Sequence, residues 1–397
     1  MSIILDRPGV TDAEREFRAG LVAVAAEVVP VLQANADRIE HDRRAADENI
    51  AAIADAGLFR LMQPRRYGGL EADFRTNMEV TRELARGCGS TAWTASLINI
   101  CAWRAGLWNE QAQDDVWKDN PGNRIAGVLA STGTAEPADG GYRVTGRWGW
   151  CTGRRHAQWA LLGIPITDDH ARLPDRGFIL VPMSELTVED SWLDTGMRGT
   201  GSSTVAADKV FVPAHRYISA FRLASGANDN PHKDEVLYRA PFISGGMIIL
   251  AGLHLGLARA ALDIVIGQGA KHPIHDAQRG APAVQLAVAK AESLADTAEL
   301  LACRAAAEVD EAVRRNEFPG YPARARTRID TVRAIVSAKE AIRELVSAHG
   351  DSAFAETSPL QRIWRDSEAA SPHAIANAES APKSAGARFS GGVIPLI

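Results

Sequence analysis

The stretch Gly140–Gly153, GGYRVTGRWGWCTG, sets aromatic and β-branched residues between glycines, and the fold can be read outward from it. Val144 and the series Tyr142, Trp148 and Trp150 carry side chains that pleated strands favour, while Gly140, Gly141, Gly146 and Gly153 mark bends. The stretch reads as a strand-turn-strand unit able to hold a planar ligand, with Thr152 at a strand end and its hydroxyl outward. About forty residues on, Trp192–Thr204 (WLDTGMRGTGSST) repeats the glycines and hydroxyls. Two such loops within one β segment predict opposite walls of a ligand site.

On both sides of this segment the period changes. From Thr11 to about Asp119 apolar residues recur at helical spacing, as in Leu21, Val24, Val28, Val29 and Leu32, then Ile50, Ile53 and Leu58. Gly57 and PRRYGG at 64–69 end one helix, and the next starts near Phe74. A nearly uncharged helix over 91–107 is apolar all round, which predicts burial. Strand signals run from Pro121 and Gly122 to about Pro213, with short runs at 157–162, 177–181 and 205–212 and a polar loop at 168–174. After an Asn-, Asp- and Pro-rich connection over 223–241, alanine-rich helices at 247–267, 283–316, 322–350 and from about Leu360 predict an antiparallel bundle. The first has no charge from Phe242 to Leu257 and should be central. The chain is therefore mainly α with a β middle: a helical domain over 1–120, a compact β barrel or sandwich over 121–222 and a four-helix bundle over 223–397.

At 397 residues the chain exceeds what one core usually supports. Its 44 Lys+Arg against 49 Asp+Glu leave a net charge of −5, which gives no electrostatic reason for nucleic acid or an anionic membrane as partner and points to small molecules. Cys88, Cys101, Cys151 and Cys303 form no CxxC pair, and His41, His215, His232 and His254 show no ligand spacing, so no metal is expected. Without a signal-peptide pattern the chain reads as a reduced, cytoplasmic protein. No apolar run approaches the roughly 20 residues that span a bilayer, and no glycine pattern after a strand makes a nicotinamide-binding fingerprint.

Taken together, Gly57 and Leu58, PRRYGG at 64–69, GRWGWCTG at 146–153, VFVP at 210–213 and GLARAA at 256–261 resemble the acyl-CoA dehydrogenase superfamily over nearly the whole chain. The resemblance implies that fold. It also implies a flavin lying against Trp150, Cys151 and Thr152, with the Thr152 hydroxyl near N5, and a first flavin-contacting loop at Ser131 and Thr132. Dehydrogenases of the superfamily carry a catalytic glutamate shortly after an Arg-Asp pair. Here IWRDSEAASPH at 363–373 has no carboxylate at the matching place, and Glu368 is too close to Arg365 and Asp366 to replace it. Arg365 and Asp366 followed seven residues later by His373, with GMRGTGS at 196–202, resemble instead the two-component flavin-dependent monooxygenases. Their oxygenase takes reduced flavin (FMNH2 or FADH2) from a separate reductase, binds O2 and hydroxylates a small, often phenolic substrate. The C4a-hydroperoxide involved survives only where water is excluded and N5 is held. The resemblance further implies a homotetramer with the bundles at its centre.

His373 and Thr152 are the catalytic candidates. An imidazole titrating between roughly pH 6 and 7.5 can take a phenol proton or hydrogen-bond the peroxide, although the spacing alone also allows a cap near a helix end. Arg198, Thr200, Gly201 and Ser202 offer a guanidinium, backbone N–H groups and hydroxyls to a ring edge or a phosphate; a salt bridge and a tight hairpin are the plain alternatives. Arg147, Arg154 and Arg155 read as a solvated face, with reach to a flavin phosphate as the alternative. Trp93 and Cys101 are assigned to the substrate pocket. Cys101 stands where the branch often has a histidine eight positions after the tryptophan, and as a residue type it suits a small core site as well as a reactive thiol. An acyl-CoA dehydrogenase or oxidase of the same fold, an N- or S-oxygenase and a non-catalytic flavin scaffold stand as alternatives.

Overall fold

Helix α1 (Asp12–Ala34) starts at a capping box: the Thr11 hydroxyl accepts from the Glu14 N–H, and the Glu14 carboxylate accepts from the Thr11 N–H. The computed structural model describes residues 9–166, 175–267 and 282–373. After α1 come α2 (Ala36–Asp42), α3 (Asp47–Asp55), α4 (Phe74–Ala85), α5 (Gly89–Ala105) and α6 (Glu110–Trp117). As its lack of a polar face predicts, α5 is buried along nearly its whole length, with only Leu97 half-buried. It lies between the helical domain, the sheet and the last helices.

The β segment comprises β1 (Ile125–Val128), β2 (Thr134–Ala138), β3 (Gly141–Trp148), β4 (Trp159–Ile166), β5 (Asp175–Pro182), β6 (Thr187–Glu189), β7 (Thr204–Pro213) and β8 (Tyr217–Ser219). They form one sheet in the order β6-β7-β3-β2-β4-β5-β8, with β1 added parallel to β4. Side chains alternate across the pleat. Trp159, Leu161, Phe178 and Leu180 face the helical core, whereas Ala160, Leu162, Ile179 and Val181 share a second core with Val144 and Trp148 of β3 and Val205 and Val212 of β7. Because both halves of the sheet line that second core, the sheet folds over on itself. The barrel-or-sandwich alternative thus resolves to one continuous sheet around its own interior. The loop expected at 168–174 lies outside the described residues.

The C-terminal part contains α7 (Ala220–Ala224), α8 (Phe242–Gly267), α9 (Pro282–Arg314), α10 (Tyr321–His349) and α11 (Pro359–Ala370). Helix α8 is central, as its charge-free run predicts. Gly252 and Gly256 let α4 approach it so closely that added Cβ atoms would sit 2.4 Å from the Met78 carbonyl oxygen and 2.1 Å from that of Arg82. By length and composition alone α1 and α8 could cross a membrane, which corrects the reading that no run is long enough; in α8, 78% of the apolar window is buried inside the protein. The two helical parts are tied together by Asp310 of α9, whose carboxylate accepts from the Phe74 and Arg75 N–H groups at 3.0 and 3.1 Å and so caps α4 from outside.

Candidate active site

The predicted strand-turn-strand unit is a strand followed by a left-handed turn. β3 ends at Trp148, whose indole N–H donates to the Gly163 carbonyl at 2.8 Å in the sheet interior. Trp150 then adopts φ 59°, a conformation that a bulky side chain rarely takes and that costs about 1–3 kcal/mol. The turn leaves the Trp150 ring 74% exposed while burying Cys151 and Thr152. The hydroxyl of Thr152 therefore points inward, not outward as the strand pattern predicts. It lies 2.7 Å from the Ser202 hydroxyl, which lies 2.7 Å from that of Thr200, and Thr200 donates to the Met197 carbonyl at 2.9 Å. A carbonyl can only accept, so for every contact to carry a proton Ser202 must donate to Thr200 and Thr152 to Ser202. The Thr152 oxygen is left as an acceptor.

The second glycine loop is built to meet this turn. Cys151 N–H donates to the Ser203 carbonyl at 3.1 Å. Gly199 sits so tightly against α2 and α5 that a Cβ would lie 1.9 Å from Ile39 Cγ2 and 2.9 Å from Ser90 Cβ. Gly196 is pressed on α11, where its Cβ would lie 2.2 Å from the Arg365 carbonyl oxygen. Arg365 donates to the Thr195 carbonyl, and the buried Asp366 carboxylate accepts from the Met197 N–H at 2.5 Å. Burial pushes the Asp366 carboxyl up to about 7. Glu40 of α2 pairs with Arg365 at 2.7 Å and lies 3.5 Å from Arg198 Nε, so in this structure the Arg198 charge ties the loop down.

On the facing side, Trp93 of α5 meets the His373 ring edge to face, 5.6 Å between centroids. Behind His373, Lys339 donates to the Ser371 hydroxyl at 2.6 Å and pairs with Glu368 at 2.9 Å, while Arg343 holds Glu368 at 2.7 Å. Glu368 is thus engaged by two cations and offers no free base. Burial, reinforced by the Arg104 charge, pushes the His373 imidazole down to about 4. It is neutral throughout the physiological range, which corrects the expectation of titration between roughly pH 6 and 7.5. Cys101 packs between α5 and β1, its sulfur 2.5 Å from where a Cβ on Gly127 would be. Burial raises its thiol to about 11, so it stays protonated and fills the core.

The structure therefore brings Trp150, Cys151, Thr152, Thr200, Gly201 and Ser202 into one turn-on-turn arrangement, and Gly153 seats that arrangement on α5, where its Cβ would contact Ile98 and Thr94 at 3.3–3.4 Å. Trp93, on the same helix, forms a second pair with His373. Ser131 and Thr132 lie beside the end of β3, the Thr132 hydroxyl donating to the Arg147 carbonyl at 2.8 Å. Arg154 corrects the solvated-face reading: its side chain is 3% exposed, it reaches Asp190 at 3.5 Å, and its Nε has no hydrogen-bond partner. Arg104, the one charge in α5, is a functional candidate that the sequence reading passed over; a lone Arg in an otherwise uncharged buried helix was the available signal. An acceptor oxygen, an orphaned buried guanidinium nitrogen and an exposed flat indole suit a planar heterocycle that bears N–H donors and a charged tail.

A helical domain, a folded-over sheet and a helical bundle meeting at such a site define an acyl-CoA dehydrogenase-like fold, and the family model of the acyl-CoA dehydrogenase N-terminal domain matches residues 11–117 while that of the C-terminal domain matches 248–378. Within that superfamily the chain belongs to the flavin-dependent monooxygenase branch, formed by oxygenase subunits of hydroxylases. It is 33% identical over 392 residues to the flavin-dependent monooxygenase oxygenase subunit HsaA of Mycobacterium tuberculosis, covering 94% of this chain and 95% of that one. It is 31% identical to the oxygenase component of the FADH2-dependent resorcinol hydroxylase of Rhizobium sp., covering 92% of each. The structure of XiaF from Streptomyces sp., in complex with FADH2 and glycerol, superposes with a TM-score of 0.89 at 33% identity over 97% of this chain and 98% of that one.

Proposed function

We propose that this chain is the oxygenase component of a two-component flavin-dependent monooxygenase that hydroxylates a small aromatic substrate. The observation that carries the reading is the pair of a buried Trp93 and a half-buried, neutral His373 at the place where a dehydrogenase of this fold needs a carboxylate base. Reduced flavin, FMNH2 or FADH2, would supply the chemistry by activating O2, one oxygen atom going to the ring and the other to water. Thr152 would hold the cofactor by accepting from its N5–H, a role its place in the hydroxyl chain leaves open. Cys151 and Trp150 flank that contact, and Thr200, Gly201 and Ser202 face it. Neutral His373 accepts a hydrogen bond from a phenol, which enriches the ring in electrons without requiring a full proton transfer at rest. The apolar walls of α5 and α8 keep water away from the reacting atoms. A separate reductase supplies the reduced flavin, the bundles assemble as a homotetramer, and the four buried reduced cysteines suit the cytoplasm.

The test is reconstitution. The purified protein should be nearly colourless and convert a phenol only when NADH, flavin and a flavin reductase are added. Stoichiometric FAD surviving gel filtration and bleached by acyl-CoA would overturn the reading. Light scattering on the same sample reads the tetramer.

A further inference from the structure

Helix α5 carries a single charge, Arg104, and buries it to 4% exposure. No carboxylate pairs with it among the described residues, and its Nε and Nη2 have no hydrogen-bond partner. Those two atoms are the donors of one edge of the guanidinium, the side-on fork that receives both oxygens of a carboxylate in parallel. The remaining surroundings are apolar or weakly polar. The guanidinium lies over the Phe242 ring at 4.9 Å, Phe242 in turn stacks on Phe178 at 5.0 Å, and the thiol of Cys101, one turn back, is a weak hydrogen-bonding neighbour that carries no charge. Helix α8 is notched for it: a Cβ on Gly246 would sit 2.6 Å from Nη2. Burial pulls the guanidinium down to about 10, which still leaves it charged at neutral pH, and its field reaches the His373 imidazole. An uncompensated cation in such a place destabilises the fold, a cost that a bound anion removes.

We propose that Arg104 is a substrate-binding residue whose unpaired fork takes a carboxylate, α5 and α8 parting to admit it, so that the aromatic substrate is a ring carrying a carboxylate group held between those helices. This rests on the proposed function for the ring and for the placement beside His373. A neutral phenol would leave the fork empty; an aromatic carboxylate fills it and is held by two parallel N–H···O bonds while the ring meets the Phe242 and Trp93 side of the site.

The experiment is equilibrium binding to the full chain without flavin or reductase, with benzoate and its neutral isostere benzamide as probes. Wild type should bind benzoate at least about tenfold more tightly than benzamide, and benzoate should raise the melting temperature. Arg104→Met should abolish the preference while melting no lower than wild type, because it removes an unpaired buried charge; a purely structural arginine would melt lower when replaced. Should Arg104→Met fail to fold, Gly246→Ala displaces the fork while keeping the charge, and it should lower benzoate affinity selectively. Equal affinities for the two probes, a preference that survives in the variants, or no benzoate binding up to about 10 mM overturns the proposal. The reading as a monooxygenase fails separately: a phenol lacking a carboxylate that is hydroxylated as well as an aromatic carboxylate sinks the Arg104 role alone, whereas benzoate binding without any oxygenation sinks the activity alone.

Discussion

Replacing Thr152 by Val keeps the shape of the side chain and removes one hydroxyl from the row that joins Thr152, Ser202 and Thr200. Thr152 donates to Ser202 at 2.7 Å, and Ser202 still donates to Thr200, so Thr152→Val leaves one Ser202 lone pair unfilled and nothing else broken. The stability loss should be about 1 kcal/mol, the net value of one neutral hydrogen bond. The functional loss is separate. If the Thr152 oxygen accepts from the reduced cofactor, its removal withdraws about 1–2 kcal/mol from the coupled reaction, roughly tenfold in the ratio of product to released H2O2. Thr152→Ser, which keeps the hydroxyl, should restore coupling. Ser202→Ala frees the Thr152 proton from its acceptor and should uncouple partially, and combining it with Thr152→Val should add little, because both act through the same oxygen. The assay is oxygen consumption, product and H2O2 measured together with reductase and NADH, beside a thermal melt. An unchanged H2O2 fraction in Thr152→Val, with the protein folded, would show that this hydroxyl does not touch the cofactor.

His373→Ala should lower product formation by about 10²–10⁴-fold while leaving flavin binding intact; with the imidazole held near 4, the wild-type rate should be flat from about pH 6 to 8, and an inflection near neutrality in wild type alone would refute that environment. Asp366 has its folded pKa raised from 3.8 to about 7, so its contribution to stability is complete below 3.8 and is lost as pH rises through 7. Between about pH 5 and 8 that loss is on the order of 2–3 kcal/mol, and Asp366→Asn, which keeps an oxygen for the Met197 N–H, should flatten the difference in urea midpoint between the two pH values. Gly199→Ala forces a methyl to within 1.9 Å of Ile39 and should cost about 1–3 kcal/mol, with weakened flavin binding because Thr200 and Ser202 move with the loop; full retention of both would mean that the loop yields freely. Asp310→Ala strips two N–H groups at the start of α4 of their acceptor and should lower stability by about 1–3 kcal/mol, read by the same melts.

The order of helices and strands was legible because it depends on periodicity within a few residues. The uncharged run from Phe242 to Leu257 implied the central α8, and the all-apolar α5 implied burial, since neither helix has a face to offer water. The motifs around Thr152, Ser202 and His373 implied a flavin site through the family resemblance they carry, while their spacing alone pointed only to a planar ligand. What the tertiary structure alone decided is where those side chains point and what charge they carry. A strand pattern cannot announce that Trp150 turns left-handed and swings the Thr152 hydroxyl inward. Thr152 meets Ser202 fifty residues away, and Asp366 meets Met197 across 169 residues, so both bonds exist only after the chain has closed. The same holds for His373 and Arg104: composition makes one a titrating imidazole and the other a lone cation. Burial keeps the first neutral and leaves the second charged without a carboxylate partner among the described residues, because desolvation is a property of the packed surroundings and not of the residue.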